Sequence, residues 1–86
     1  MTYAERIRAK LEAAFAPESL KVIDESADHA GHSGARPGGE THFRVEMKAS
    51  ALAGQTRVAQ QRAVFAVLKE EMAERVHALA LSVKAP

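Results

Sequence analysis

Residues 22–45, VIDESADHAGHSGARPGGETHFRV, decide the fold. The segment closes on the clearest alternation in the chain: Phe43, Val45 and Met47 point one way, His42, Arg44, Glu46 and Lys48 the other. That period of two predicts a strand with one wet face. The segment opens on the end of a short apolar run, Leu20 to Ile23, in which Leu20 and Val22 alternate about Lys21, and this also reads as a strand. Between the two runs, from Ala27 to Gly39, the composition turns to Gly, Ser, Pro, Asp and His without periodicity, the chemistry of a loop. Two strands joined by such a loop pair antiparallel, because a parallel pairing needs a longer crossover.

Working outward, Thr2 and Glu5 have the spacing of a capping box, and Tyr3, Ile7, Leu11 and Phe15 recur every four residues behind them. Pro17 ends that stripe, so a helix is predicted over 3–15. On the other side, Gly54 marks a turn and Thr56 an N-cap. Val58, Phe65, Leu68 and Met72 outline a second amphipathic helix over about 57–73, with Gln60, Gln61, Lys69 and Glu70 on its wet side. Val76 to Val83, rich in Val, Leu and Ala, is the third strand, and a helix before it allows a parallel crossover. The order helix, strand, strand, helix, strand predicts an α+β two-layer sandwich: a three-stranded mixed sheet with the helices on one face. No internal repeat is visible, and 86 residues make one domain, 1–86.

Composition narrows the function. Twelve basic against eleven acidic residues leave a formal charge of +1, far from the footprint of a dedicated nucleic-acid binder. No apolar run approaches the ~20 residues that span a bilayer. The N-terminal MTYAERIRAK intersperses acid and base without an apolar core, so neither a membrane span nor a signal peptide is expected and the cytoplasm is the expected compartment. The absence of cysteine excludes a disulfide scaffold and any thiolate metal site built from this chain alone. No G-x-S-x-G, P-loop or dinucleotide fingerprint occurs, and nothing fixes a nucleophile and base together, so no enzyme is expected.

Imidazole is a common metal ligand, and three of the four histidines, His77, His29 and His32, are the candidates. His77 opens the third strand and by alternation shares a face with Leu79, Leu81 and Val83, at the rim of the apolar layer. The competing reading is a histidine tolerated at a strand end and bonded to a backbone carbonyl. His29 and His32 form H-x-x-H, which would converge two ligands on a helix but fixes little in a glycine-rich loop. Gly31-His32-Ser33-Gly34 matches the G-x-x-G clamp of KH domains, yet it lies between strands where the clamp joins helices, so chance is the simpler explanation. Arg57, Arg62 and Lys69, with Arg44, are candidate phosphate contacts. Glu70, Glu71 and Glu74 follow closely, and a solvated helix face explains them as well.

The segments V-I-D-E-S (Val22–Ser26), G-x-E-T-H-F-R-V (to Val45) and V-H-A-L-A-L (Val76–Leu81), in this order, resemble the BolA family over essentially the whole chain. The resemblance implies a fold related to the class II KH type and association with a monothiol glutaredoxin carrying Cys-Gly-Phe-Ser. The pair would share a [2Fe–2S] cluster held by a glutaredoxin cysteine, glutathione and histidines of this chain. His77 would be the ligand histidine of V-H-A-L, with His29 as the loop ligand and His32 its competitor. Independently, a chain without cysteine lacks the thiolates that iron–sulfur clusters use, while histidine can replace cysteine on one iron. A partner is therefore expected, and a homodimer is the alternative assembly. Gln60-Gln61-Arg62 departs from the R-H-R of many relatives, which weighs against the DNA-binding, transcription-regulating role that some of them have.

Overall fold

A computed structural model describes residues 2–26 and 39–84. Helix α1 (Tyr3–Phe15) starts where the capping box predicts, with Thr2 Oγ1 accepting the Glu5 N–H at 3.1 Å. The reciprocal contact differs: the Glu5 carboxylate takes the Thr2 hydroxyl, not its backbone N–H. The helix ends on Ala16 in the left-handed region (φ 44°), whose N–H closes on the Glu12 carbonyl, immediately before Pro17. The sheet follows, with β1 (Ser19–Asp24) antiparallel to β2 (His42–Lys48) in the register Ser19↔Lys48 to Asp24↔Phe43.

After a single 3-10 turn at Ser50–Leu52, Thr56 caps α2 (Arg57–Val67) by accepting the Ala59 N–H. A short α3 (Lys69–Glu74) leads to β3 (Ala78–Lys84), which runs parallel to β2 from His42↔Ala78 to Lys48↔Lys84. The strand order is β1-β2-β3. The sheet is thus mixed and the architecture α+β, as expected.

Alternation along each strand sends Leu20 and Val22, Phe43, Val45 and Met47, and Leu79, Leu81 and Val83 to the helix side. There they pack with Ile7 and Leu11 of α1, Val64 of α2, and Leu68. Two expectations need correction. The single helix over 57–73 is two helices, broken at Leu68 (φ −99°, ψ 17°), which is itself fully buried in the core. Val58, expected on the apolar face, is 55% exposed, and Val64 supplies the buried contact instead. No helix among the described residues is long and apolar enough to cross a membrane.

Glu71 on α3 is wholly buried, yet it carries two ion pairs to α1, Arg6 at 2.9 Å and Lys10 at 2.8 Å. Burial on its own would raise the pKa of this carboxyl. The Lys10 hydrogen bond and the charges of Lys10 and Arg6 outweigh it and hold the group below its ordinary value. The pair ties α3 to α1, and α3 delivers the chain to β3.

Candidate metal centre

At its C-terminus α3 gives up its last carbonyl bonds, the N–H groups of Arg75 and Val76 both donating to the Glu71 carbonyl. Val76 turns into the core, and His77 follows before the strand begins. The N–H groups of His77 and Ala78 both donate to the Thr41 carbonyl, at 2.7 and 3.1 Å. Two residues of the incoming chain thus meet one acceptor, and the strand's alternation cannot be extended back through His77. This corrects the expectation that His77 shares a face with Leu79 and Leu81. Its side chain is exposed, and its ring lies against the imidazole of His42, centroids 5.4 Å apart and planes tilted by 54°.

His42 was expected on the wet face of β2, and by parity it does point away from Phe43. It is nevertheless only 6% exposed. Its Nδ1 lies 2.9 Å from the Thr41 hydroxyl, and His77 adjoins its ring. Below it, the Ser26 hydroxyl oxygen accepts two backbone N–H groups, from Thr41 at 2.9 Å and from His42 at 3.2 Å. Asp24 extends the frame, one carboxylate oxygen accepting the Ser26 N–H at 2.9 Å and the other the Glu40 N–H at 3.3 Å. Burial would raise the Asp24 pKa, but the hydrogen bonds from Ser26 and from the Glu40 backbone, with the nearby His42, hold it below the ordinary value.

The chain re-enters the described region at Gly39 and Glu40, both left-handed at φ 69° and 62°. Arg75 fixes this turn from α3 by donating twice to the Gly39 carbonyl, at 3.0 and 2.7 Å. Glu40 fixes it from the other side, its carboxylate accepting the Tyr3 N–H at 2.7 Å. A left-handed glutamate is uncommon, and here three neighbouring elements hold it.

Of the three histidines singled out in the sequence, only His77 falls within this frame. His29 and His32 lie outside the described residues. His42, which alternation assigned to solvent, joins His77 instead; the signal for it was its place beside Thr41 at the first residue of a strand, where a neighbouring segment can cover the open face. Among the described residues no group of three or more His, Cys, Asp or Glu side chains could close around a metal ion. The donor chemistry present, an exposed imidazole beside a second histidine, suits one corner of a site completed by other ligands. Arg57 and Arg62 are exposed on α2, and Lys69, also exposed, lies on α3 beyond the break at Leu68. Glu71, which follows these basic residues in sequence, is turned inward to α1.

A family model described as BolA-like protein matches residues 11–86. The chain is 44% identical over 80 residues to BolA-like protein 1 of Pongo abelii, covering 93% of this chain but 56% of that protein, so it spans little more than half of that relative's length. It is 40% identical over 81 residues to the DNA-binding transcriptional regulator BolA of Escherichia coli, covering 94% of this chain and 73% of that protein. Among solved structures, the BolA domain of SufE1 from Arabidopsis thaliana superposes with a TM-score of 0.90 at 36% identity, covering 100% of this chain and 94% of that one.

Proposed function

The chain belongs to the BolA-like protein family, and from that membership we propose that it is a non-catalytic adaptor presenting histidine to an iron–sulfur cluster shared with a partner. The observation that carries this reading is His77: an exposed imidazole whose backbone is fixed by the Thr41 carbonyl and whose ring is flanked by buried His42. A chain with no cysteine must draw thiolate from elsewhere. A monothiol glutaredoxin with glutathione is the proposed source. His77 would ligate from this side, with His29 or His32 as second donor. Neutral imidazole in place of thiolate on one iron raises the cluster's potential, which suits handling or sensing of iron better than low-potential electron transfer.

The test is reconstitution with iron, sulfide, glutathione and a monothiol glutaredoxin, followed by visible absorption, visible circular dichroism and size-exclusion mass. A coloured heterodimer spectrally distinct from the glutaredoxin homodimer is expected. His77→Ala should abolish that spectrum while leaving far-ultraviolet dichroism unchanged, and separate substitutions at His29 and His32 identify the second donor. A His77→Ala complex with the parent visible dichroism would remove His77 from the ligand set.

A second reading, a DNA-binding regulator, is favoured by one observation: α2 carries exposed Arg57 and Arg62 and no acidic residue. It predicts duplex binding that weakens steeply with salt and on replacement of Arg57, Arg62 or Lys69. Undetectable duplex binding at modest ionic strength dismisses it.

A further inference from the structure

The helices cover one face of the sheet, and alternation decides which side chains stand on the other. From the register, the last two rows on that open face are Ser19, Lys48 and Lys84, then Lys21, Glu46 and Ser82, each three abreast across β1, β2 and β3. These six side chains border a cleft of about 320 Å³. Lys48 and Lys84 are direct neighbours on adjacent strands, with Cα atoms about 5 Å apart. Like charges so placed repel. Among the described residues Glu46 is the one acid of the cleft, and it faces Lys21 across the strand pair, which leaves Lys48 and Lys84 uncompensated. None of the three ammonium groups has an ion pair among the described residues, and neither serine hydroxyl has a hydrogen bond there. Arg44, one row further along, is already bound to Glu25 at 3.0 Å.

We propose that this cleft binds a small, soluble phosphorylated anion, one phosphoryl group bridging Lys48 and Lys84. A dianion placed between two ammonium groups turns their repulsion into attraction. Lysine binds phosphate as a point charge, and the planar guanidinium fork that matches a carboxylate is absent here. The Ser19 hydroxyl beside Lys48 and the Ser82 hydroxyl one row from Lys84 add neutral donors on either flank. At about 30 Å³ for each water, the cleft has room for roughly ten, enough for a second phosphoryl group on the Lys21 side. Other occupants fit less well. A lipid surface needs exposed apolar side chains beside the cations, and the large exposed hydrophobic residue described, Val58, is on α2. A second copy would set lysine against lysine. A duplex needs cations spread along several phosphates, whereas these are confined to one end of the sheet with Glu46 among them. The cleft lies at the end of β2 opposite His42, about 20 Å away along the strand, and does not depend on the cluster-sharing reading.

The test uses the full chain, isotopically labelled, titrated with sodium pyrophosphate and, as control, with sodium chloride at matched ionic strength. Saturable shifts centred on the Ser19, Lys48, Ser82 and Lys84 amides are expected with pyrophosphate only. A rise in Tm should accompany them, since an anion bound by the folded state alone stabilises it. Lys48→Gln and Lys84→Gln, both exposed changes, should each weaken binding about fivefold, the upper range for one exposed charge pair. Arg57→Gln removes a cation outside the cleft and should leave binding unchanged. Equal shifts with chloride, no saturation at millimolar pyrophosphate, or parent affinity in both lysine variants overturns the proposal. So does concentration-dependent dimerisation that protects these amides. Vesicles of phosphatidylcholine with phosphatidic acid, or duplex DNA, shifting them where pyrophosphate does not would overturn it too.

Discussion

Replacing Glu71 with glutamine tests whether the α1–α3 ion pairs hold the frame beneath His77. The side chain is fully buried between Arg6 and Lys10. Removing one partner of a buried ion pair costs about 3–5 kcal/mol when the remaining charge is stranded. Here the stranded groups are 26% and 32% exposed and can turn back to water, so a loss of about 2–3 kcal/mol is expected at pH 7. For a domain of this size that lowers Tm by roughly 10–20 °C. The pH dependence gives a sharper signature. Glu71 is held below its ordinary value of 4.5, so its contribution is fully present above that value and is lost as pH falls through the folded-state pKa. The parent and Glu71→Gln should therefore differ most at neutral pH and converge in acid, when the parent's carboxyl is itself neutral. Glu74 is also depressed, but both proteins retain it and its effect cancels. Urea unfolding followed by circular dichroism at neutral and acid pH measures both gaps. A gap below about 0.5 kcal/mol at pH 7, or one equal at both pH values, would refute the reasoning.

Two further outcomes follow from the backbone. Ala16 caps α1 in a conformation that costs an L-residue about 1–2 kcal/mol, so Ala16→Gly should raise stability by about 1 kcal/mol and Tm by roughly 4–8 °C; an unchanged or lowered Tm contradicts this. Ser26→Ala strands the buried N–H groups of Thr41 and His42 and should cost about 2–3 kcal/mol, with faster hydrogen exchange at those two amides; parent-like exchange there would show that the hydroxyl is not their acceptor.

What the sequence made legible was what short-range physics determines. The Thr2 cap, the Pro17 stop and the alternation from Phe43 to Met47 are local, and each appears in the structure where the sequence puts it. The break at Leu68 was not legible, because neither glycine nor proline marks it; the residue there is an ordinary apolar one, fully buried in the core. The same holds for the site. His77 was visible as a histidine at a strand start, but its direction depends on sharing the Thr41 carbonyl with Ala78, a contact 36 residues away in sequence. Alternation misjudged His42 because parity names the face on which a residue lies and says nothing of what covers that face. Arg75 gave no signal, since its grip on the Gly39 carbonyl is purely tertiary.

The clasp at Ser26 and Gly39–Thr41 carries a consequence for how this protein can change. Asp24, Ser26, Glu40 and Arg75 fasten the two ends of the intervening segment to each other and to the helices, through bonds that use no residue between them. The chain between such fixed posts can be lengthened at a cost of only about 0.6 kcal/mol per doubling. Side chains can therefore be gained, lost or shifted there while the sheet's register stays as it is. Natural drift and laboratory grafting would both find a cassette at this position, between anchors that lie wholly outside it.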